Sequence, residues 1–317
     1  MPQTAPPDAL DPLTRCGIIA VVGLPNAGKS TLLNRLVGEP LSIVTPKAQT
    51  TWRNVTGLVS RNAQQLILVD TPGLLAPRDP HQQGMEVEAL SAMDDADGVL
   101  LILDSTGPPP GNDRLQRLER ALAGVRAPIT LVLNKTDSAG AGQIEALEVW
   151  AARFHPVAVH RISALRGDGV ETLLEELLQG LPPGPFLYPA DDLATQPVRF
   201  FVGEFIREAV FRRYKQEIPW ATACQVEEFR EGENPIYIHA VLYVEKESQK
   251  GILVGKGGTA IRDVGMEARQ RIETFLEAPV YLDLRVKVME GWKRKASRLR
   301  RLGLRAPDSD GGERGHD

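Results

Sequence analysis

Cysteine is nearly absent from this 317-residue chain: Cys16 and Cys224 lie far apart and without metal-type spacing. That excludes a zinc knot and a disulfide-stapled secreted scaffold, and it fits a reducing compartment. Long hydrophobic runs are also missing. The most apolar stretches, residues 17–23 and 98–103, fall well short of the roughly 20 residues that a membrane-spanning helix needs. The histidines His81, His155, His160, His239 and His316 form no cluster suited to a metal or a general base. Residues 1–14 carry Pro2, Pro6, Pro7 and Pro12 but no basic start followed by an apolar run, so they read as a flexible leader rather than a signal peptide. What remains is an ordinary globular composition, 42% hydrophobic and 25% charged, in a chain long enough for about two domains.

The formal charge of −4 is unevenly spread: residues 1–190 carry −5 and residues 191–317 carry +1. Between Lys246 and Arg305 the local balance reaches +8, ending in Lys293, Arg294, Lys295, Arg298, Arg300 and Arg301. Such a block suits a polyanion, although charge alone favours a solvated helix face. A proline-rich stretch with Pro182, Pro183, Pro185, Pro189 and Pro197 interrupts both kinds of regular structure. The expected organisation is a leader at 1–14, a first domain at 15–180, a linker at 181–197, a second domain at 198–304 and a disordered tail at 305–317. In the first domain, apolar runs at 18–22, 66–70, 99–104, 129–134 and 157–162 alternate with helical patterns at 29–37, 113–122 and 169–178, predicting an α/β fold with a mainly parallel sheet. The second reads helix (201–216), strand (222–228), strand (236–244), two helices flanking 255–258, strand (281–288) and a basic helix: a smaller α+β domain.

The first strand pattern runs into Gly23-Leu24-Pro25-Asn26-Ala27-Gly28-Lys29-Ser30-Thr31, a G-x-x-x-x-G-K-S phosphate loop in the strand-to-helix context it requires. Glycines let backbone N–H groups turn toward a β-phosphate, and the following helix adds its positive end. Lys29 is expected to neutralise the β/γ oxygens and Ser30 to ligate Mg²⁺. Asp70-Thr71-Pro72-Gly73 ends the next strand with a carboxylate able to reach the same ion, with the Gly73 N–H facing a γ-phosphate; alone it would pass for a turn. Thr51, within 47–52, is expected to complete the metal shell only when the γ-phosphate is present, which makes that segment the candidate switch. Lys29, Thr51 and Gly73 are thus the groups expected to act on the transferring phosphate.

Asn134-Lys135-Thr136-Asp137 follows a third strand. Asp137 can accept from N1–H and the 2-amino group of guanine, a donor pair adenine lacks, so the site should reject ATP. Asn134 is expected to brace the phosphate loop, the Lys135 stem to lie over the base, and the Ala164 N–H, after Ser163, to meet guanine O6. Four motifs in this order, each at a strand's C-terminal end, form a GTPase signature. Leu74 occupies the place where Ras-like enzymes have a water-orienting glutamine, so slow or assisted hydrolysis is expected. Asn26 matches a pattern found in GTPases that use K⁺ where others use an arginine finger, which suggests K⁺ stimulation; the simpler role is a bond within its own loop.

Gly255-Lys256-Gly257-Gly258 sits between two helical patterns inside the α-β-β-α-α-β order, the form of a KH loop that clamps about four unpaired nucleotides. On these motifs, together with Leu181-Pro182-Pro183-Gly184-Pro185, Tyr188-Pro189, Arg199-Phe200-Phe201, Ile206-Arg207-Glu208 and Glu217-Ile218-Pro219, the chain resembles the bacterial Era family over about residues 15–300. The resemblance implies a P-loop GTPase domain followed by a type II KH domain, GTP and GDP as ligands with Mg²⁺, and binding near the 3′ end of 16S rRNA in assembly of the 30S subunit. It also implies a cytoplasmic monomer with peripheral attachment to the inner face of the cell membrane. Trp52 departs from the family pattern, which has arginine after the two threonines. Two alternatives stay open: an RNA-binding scaffold with a structural nucleotide site, which Leu74 favours, and a GTPase acting on another RNA such as tRNA.

Overall fold

The computed structural model describes residues 14–307; the predicted leader and tail lie outside these residues apart from Thr14 and residues 305–307. The chain divides into two compact units. The first comprises the residues up to Ser42, Asn54–Leu75 and Glu88–Thr195; the second comprises Ile43–Arg53, Ala76–Val87 and the chain from Gln196 onward. Two segments that the sequence assigns to the N-terminal domain therefore fold with the C-terminal one.

In chain order the first unit carries β1 (Arg15–Gly23), α1 (Lys29–Val37), β2 (Val55–Arg61), β3 (Gln64–Asp70), the end of α2 (Pro80–Asp94), β4 (Gly98–Asp104), α3 (Asn112–Leu122), β5 (Ile129–Asn134), α4 (Ala141–Ala151), β6 (Ala158–Arg161) and α5 (Val170–Gln179). The sheet order is β2-β3-β1-β4-β5-β6, parallel except for β2, which pairs antiparallel with β3. Chain order reverses at β1, between β3 and β4, so the crevice that open α/β sheets use for ligands opens beyond the end of β1. Near-continuous apolar strands such as Gly98–Asp104 are buried on both faces, as a covered parallel sheet requires. Leu101, Leu103, Leu131 and Leu133 form one core with Leu118, Leu122 and Leu147 of α3 and α4, while α1 and α5 pack on each other and on β3.

The strand β2 and the helices α2 and α4 were absent from the sequence expectation. Gly57 breaks the β pattern of β2, and it is there because α1 comes close: a Cβ would stand 2.6 Å from Val37 and 2.8 Å from Leu33. The proline-rich stretch is tied along the first unit rather than free. Gln65, fully buried, accepts from the Leu187 and Tyr188 N–H groups and donates to the Tyr188 carbonyl, and Leu58 N–H donates to Leu193 O.

The second unit contains α6 (Val198–Arg213), the short α7 (Ile218–Ala221), β7 (Ala223–Arg230), β8 (Ile236–Val244), α8 (Glu247–Val254), α9 (Thr259–Leu276), β9 (Val280–Val288) and α10 (Ala296–Arg301). Its sheet is β7-β8-β9, with β8 and β9 parallel. From Phe201 to Phe211 every residue of α6 is buried, so this helix is the unit's central element, and the charges it carries inside are paired, Arg207 with Glu204 at 2.7 Å and Glu208 with Arg212 at 2.6 Å. Ala223, Val241 and Tyr243 gather with Trp52, Met85, Trp292, Leu299 and Leu302 in a second core. Trp52, the departure noted above, is a packing residue. Its ring meets His81 and Trp292 at 4.6 and 5.6 Å, and the Arg207 guanidinium lies 3.7 Å from its centroid. Burial among these groups pushes the His81 imidazole down to about 3, with Lys293 and Arg207 adding to the effect, so it is neutral at any physiological pH.

Candidate functional site

The loop after β1 is shaped by left-handed backbone at Asn26 (φ 63°) and Gly28 (φ 99°). Only glycine fits at 28, because a Cβ would fall 2.2 Å from Asn134 Nδ2. Lys29 opens α1 with its ammonium donating to the Gly23 and Leu24 carbonyls, each at 3.2 Å. Burial pulls its pKa down to about 8 against the opposing pull of Asp70. The side chain is held across the loop beside the helix N-terminus, where an anion would gain both a full charge and the exposed N–H groups. Ser30 follows and donates to Asp70 Oδ2 at 2.7 Å. Asp70 is fully buried at the end of β3, and the two hard oxygen donors suit Mg²⁺, which takes one or two protein oxygens and completes its shell from water and phosphate. Thr71 is fastened to Val21 O by its N–H and hydroxyl, and the Leu74 N–H bonds Gly23 O, so the Asp70 loop is stitched to the phosphate loop with Gly73 against Pro25. The Leu74 side chain is buried in the sheet core.

Asn134 joins three loops. Its Nδ2 donates to Ala27 O at 2.8 Å, and its Oδ1 accepts from the Ala164 N–H at 2.9 Å. The first contact is the brace expected from the sequence. The second engages the donor assigned to guanine O6, so that a bound base would share or displace it. Asp137, whose side chain is 7% exposed, accepts from Ser163 Oγ at 2.6 Å and Ser138 Oγ at 2.8 Å. These bonds, with Arg166 nearby, hold its carboxyl below the usual carboxylate range, which keeps it an acceptor for two donors on a base edge. Lys135 adopts φ 65° and its ammonium bonds Asp104 Oδ2 at 2.6 Å. Asp104 was not singled out in the sequence, though it ends β4 opposite Asn134. Burial pushes its carboxyl up, but bonds from Lys135 and Thr106 outweigh this and hold it low. The pair fixes the free end of Lys135 and thereby the path of its aliphatic stem.

The first unit thus brings together Gly23, Pro25, Asn26, Ala27, Gly28, Lys29, Ser30, Thr31, Asp70, Thr71, Gly73, Asn134, Lys135, Asp137, Ser163 and Ala164 on loops at one edge of the sheet. Thr51 belongs to Ile43–Arg53, a segment that folds with the second unit. Arg207 donates to Thr50 O at 3.0 Å, Trp220 Nε1 to Ala48 O at 2.9 Å, and Lys47 to the Phe211 and Tyr214 carbonyls. In the second unit residues 255–258 link α8 to α9 with positive φ at Gly255 (72°), Gly257 (59°) and Gly258 (76°). An added Cβ at Gly255 would strike Ala260 at 2.6 Å, whereas Gly257 and Gly258 face open space. Backbone and the exposed Lys256 are therefore presented without side-chain cover, as close approach of a nucleic-acid backbone requires.

Comparison with known proteins places this geometry. Residues 18–135 match the family of 50S ribosome-binding GTPases and residues 217–293 the KH domain family. GTPase Era of Nitratidesulfovibrio vulgaris is 39% identical over 93% of this chain and 98% of its own length. That of Deinococcus radiodurans is 38% identical over 95% and 98%. Among solved structures, an Aquifex aeolicus Era variant bound to GDP and AlF₄⁻ superposes with a TM-score of 0.87 at 33% identity, covering 92% of this chain and 99% of that one. Era in complex with MgGDPNP and nucleotides 1506–1542 of 16S ribosomal RNA superposes with a TM-score of 0.86, also at 33% identity and with the same coverage.

Proposed function

The chain belongs to the GTPase Era family, and from that membership we propose that it is a GTP-hydrolysing switch that binds 16S rRNA near the 3′ end through residues 255–258 and assists assembly of the 30S subunit. The observation that carries the nucleotide half is the single hydrogen-bonded network in which Asn134 ties the phosphate loop to the base loops while Ser30 meets Asp70. Phosphate, metal and base recognition are then one rigid assembly, preorganised in the way electrostatic stabilisation of phosphoryl transfer demands. Lys29 and the N–H groups at the start of α1 hold the β- and γ-phosphates, and the Gly73 N–H meets the γ-phosphate. Mg²⁺, when bound, would neutralise charge on those oxygens; Ser30 and Asp70 would hold it, with Thr51 as a further oxygen donor.

Asp137 reads guanine, and the test is its amide. Asp137→Asn is expected to move preference from guanine to xanthine nucleotides by a hundredfold or more, because the acceptor for the 2-amino group becomes a donor suited to the 2-oxo group. Unchanged GDP affinity in a titration would refute the assignment. With Leu74 committed to the core, no side chain follows Gly73 to orient the attacking water. We propose that hydrolysis is assisted instead by K⁺, which Asn26 would hold and which would supply positive charge where other GTPases use an arginine finger; turnover several-fold faster in KCl than in NaCl at matched ionic strength is the expected result. The reading includes a monomer with peripheral attachment to the inner face of the cell membrane. Among the described residues no helix is long and apolar enough to cross a membrane.

A further inference from the structure

Among the described residues, the last stretch of the second unit carries a cluster of cations without ion pairs. Arg294, Lys295, Arg300, Arg301 and Arg305 are exposed, and among the described residues none of them forms an ion pair. Elsewhere on the same unit most exposed arginines are neutralised, Arg212 by Glu208, Arg213 by Asp263, Arg230 by Glu228 and Arg269 by Glu273, and those without an ion pair, Arg78, Arg199 and Arg262, stand singly along the chain. Concentrating unpaired cations in twelve residues costs self-repulsion unless an anion relieves it. The segment is also rigidly mounted. Trp292 and Leu299 are fully buried, Leu302 and Leu304 nearly so, and Trp292 Nε1 donates to Ala221 O at 3.1 Å. The apolar side chains of 292–304 are thus all spent on the core, leaving a cationic surface with no hydrophobic face to sink into a bilayer.

Its position is informative as well. Trp292 and Leu299 gather with Ala223, Val241 and Tyr243 on one face of the sheet. The helices lie on the other: Gly203 of α6 approaches Val226, and Gly265 of α9 approaches Leu284, residues whose register partner Ala240 alternates with Val241 along β8. The loop at 255–258 belongs to the helical side. An RNA segment of about four nucleotides, the reach of a KH loop, leaves the basic surface unfilled.

We propose that Arg294, Lys295, Arg300, Arg301 and Arg305 form a second RNA contact, which takes the sugar–phosphate backbone of the strand beyond the nucleotides clamped at 255–258. The proposal rests on the RNA-binding reading above. Exposed guanidinium and ammonium groups without a base-stacking neighbour recognise phosphate rather than sequence, so the surface adds affinity and length dependence and leaves sequence preference to the loop.

The test compares two RNAs, the fragment corresponding to nucleotides 1506–1542 and an oligonucleotide of about six residues from its 3′ end, on the full chain and on the combined variant Arg294→Gln, Lys295→Gln, Arg300→Gln, Arg301→Gln. The variant is expected to bind the long RNA at least tenfold more weakly at about 0.1 M salt and to lower the slope of log K against log salt by about 3, one counterion release per lost phosphate contact. Its affinity for the short RNA and its melting temperature should not change, and lysine at the three arginine positions should restore the slope. An unchanged slope on the long RNA, or equal losses on both RNAs, overturns the proposal. So does release of the variant from phosphatidylserine vesicles that hold the parent, with RNA affinity intact, because that assigns the segment to a membrane. If the parent binds neither RNA, the RNA-binding reading itself fails.

Discussion

Lys29 shows how one residue can make nucleotide binding depend on pH. Burial lowers its pKa from 10.5 to about 8, and bound phosphates would raise it again by supplying the anion it lacks. Above about pH 8 the free site is increasingly neutral and the complex charged, so binding takes up a proton and affinity falls by up to tenfold per pH unit. Calorimetry of GDP binding in two buffers of different ionisation enthalpy should show uptake of nearly one proton at about pH 9 and none near pH 6.5; no uptake at either would refute it. In the nucleotide-free protein the sign for stability is opposite. The unfolded lysine holds its proton up to 10.5 while the folded one releases it near 8, so this group's contribution to stability rises with pH across that window. The motif lysine was legible in the sequence; its perturbed pKa was not, because desolvation depends on what the fold packs around it. Asp104 was missed for a related reason. Its role is set by β4 lying beside β5 so that its carboxylate meets Lys135, and nothing in its local spacing announces that neighbour.

Among elements, those with a strong local signal were readable. Apolar runs bounded by turn residues located five strands of the main sheet, and the α-β-β-α-α-β order of the second unit stands as read apart from the short α7 between α6 and β7. The edge strand β2 escaped because Gly57 answers to the approach of α1 rather than to strand propensity. The basic run at 293–301 was visible as charge, but its anchoring by Trp292 and Leu299 belongs to tertiary packing. The turn at 255–258 is the element with the sharpest test. Gly257 and Gly258 face open space at positive φ, so acidic side chains there would meet an approaching phosphate directly. Lys256→Asp combined with Gly257→Asp should lower RNA affinity at least tenfold and leave GDP affinity unchanged; normal RNA binding in a filter or fluorescence assay would count against the loop.

For the whole molecule, the unexpected feature is that the compact units do not follow the chain. Ile43–Arg53, with the candidate switch, and Ala76–Val87, just after the Asp70 loop, are built into the unit that carries the KH loop. The chain therefore runs from the phosphate loop through a segment whose packing belongs to the unit that carries the KH loop. Single-turnover GTP hydrolysis is expected to be slow alone and to accelerate several-fold with RNA spanning the 3′ end of 16S rRNA; identical, negligible turnover in both conditions would favour a structural nucleotide site. By itself the sequence determined the chemistry of the two sites, because phosphate, guanine and nucleic-acid backbone are recognised by short contiguous loops whose glycines and charged residues must stand at set spacings. Only the tertiary structure decided where Trp52 and the switch segment pack, which carboxylate holds Lys135, and which arginines go unpaired, since each of these depends on partners distant along the chain and brought together by burial.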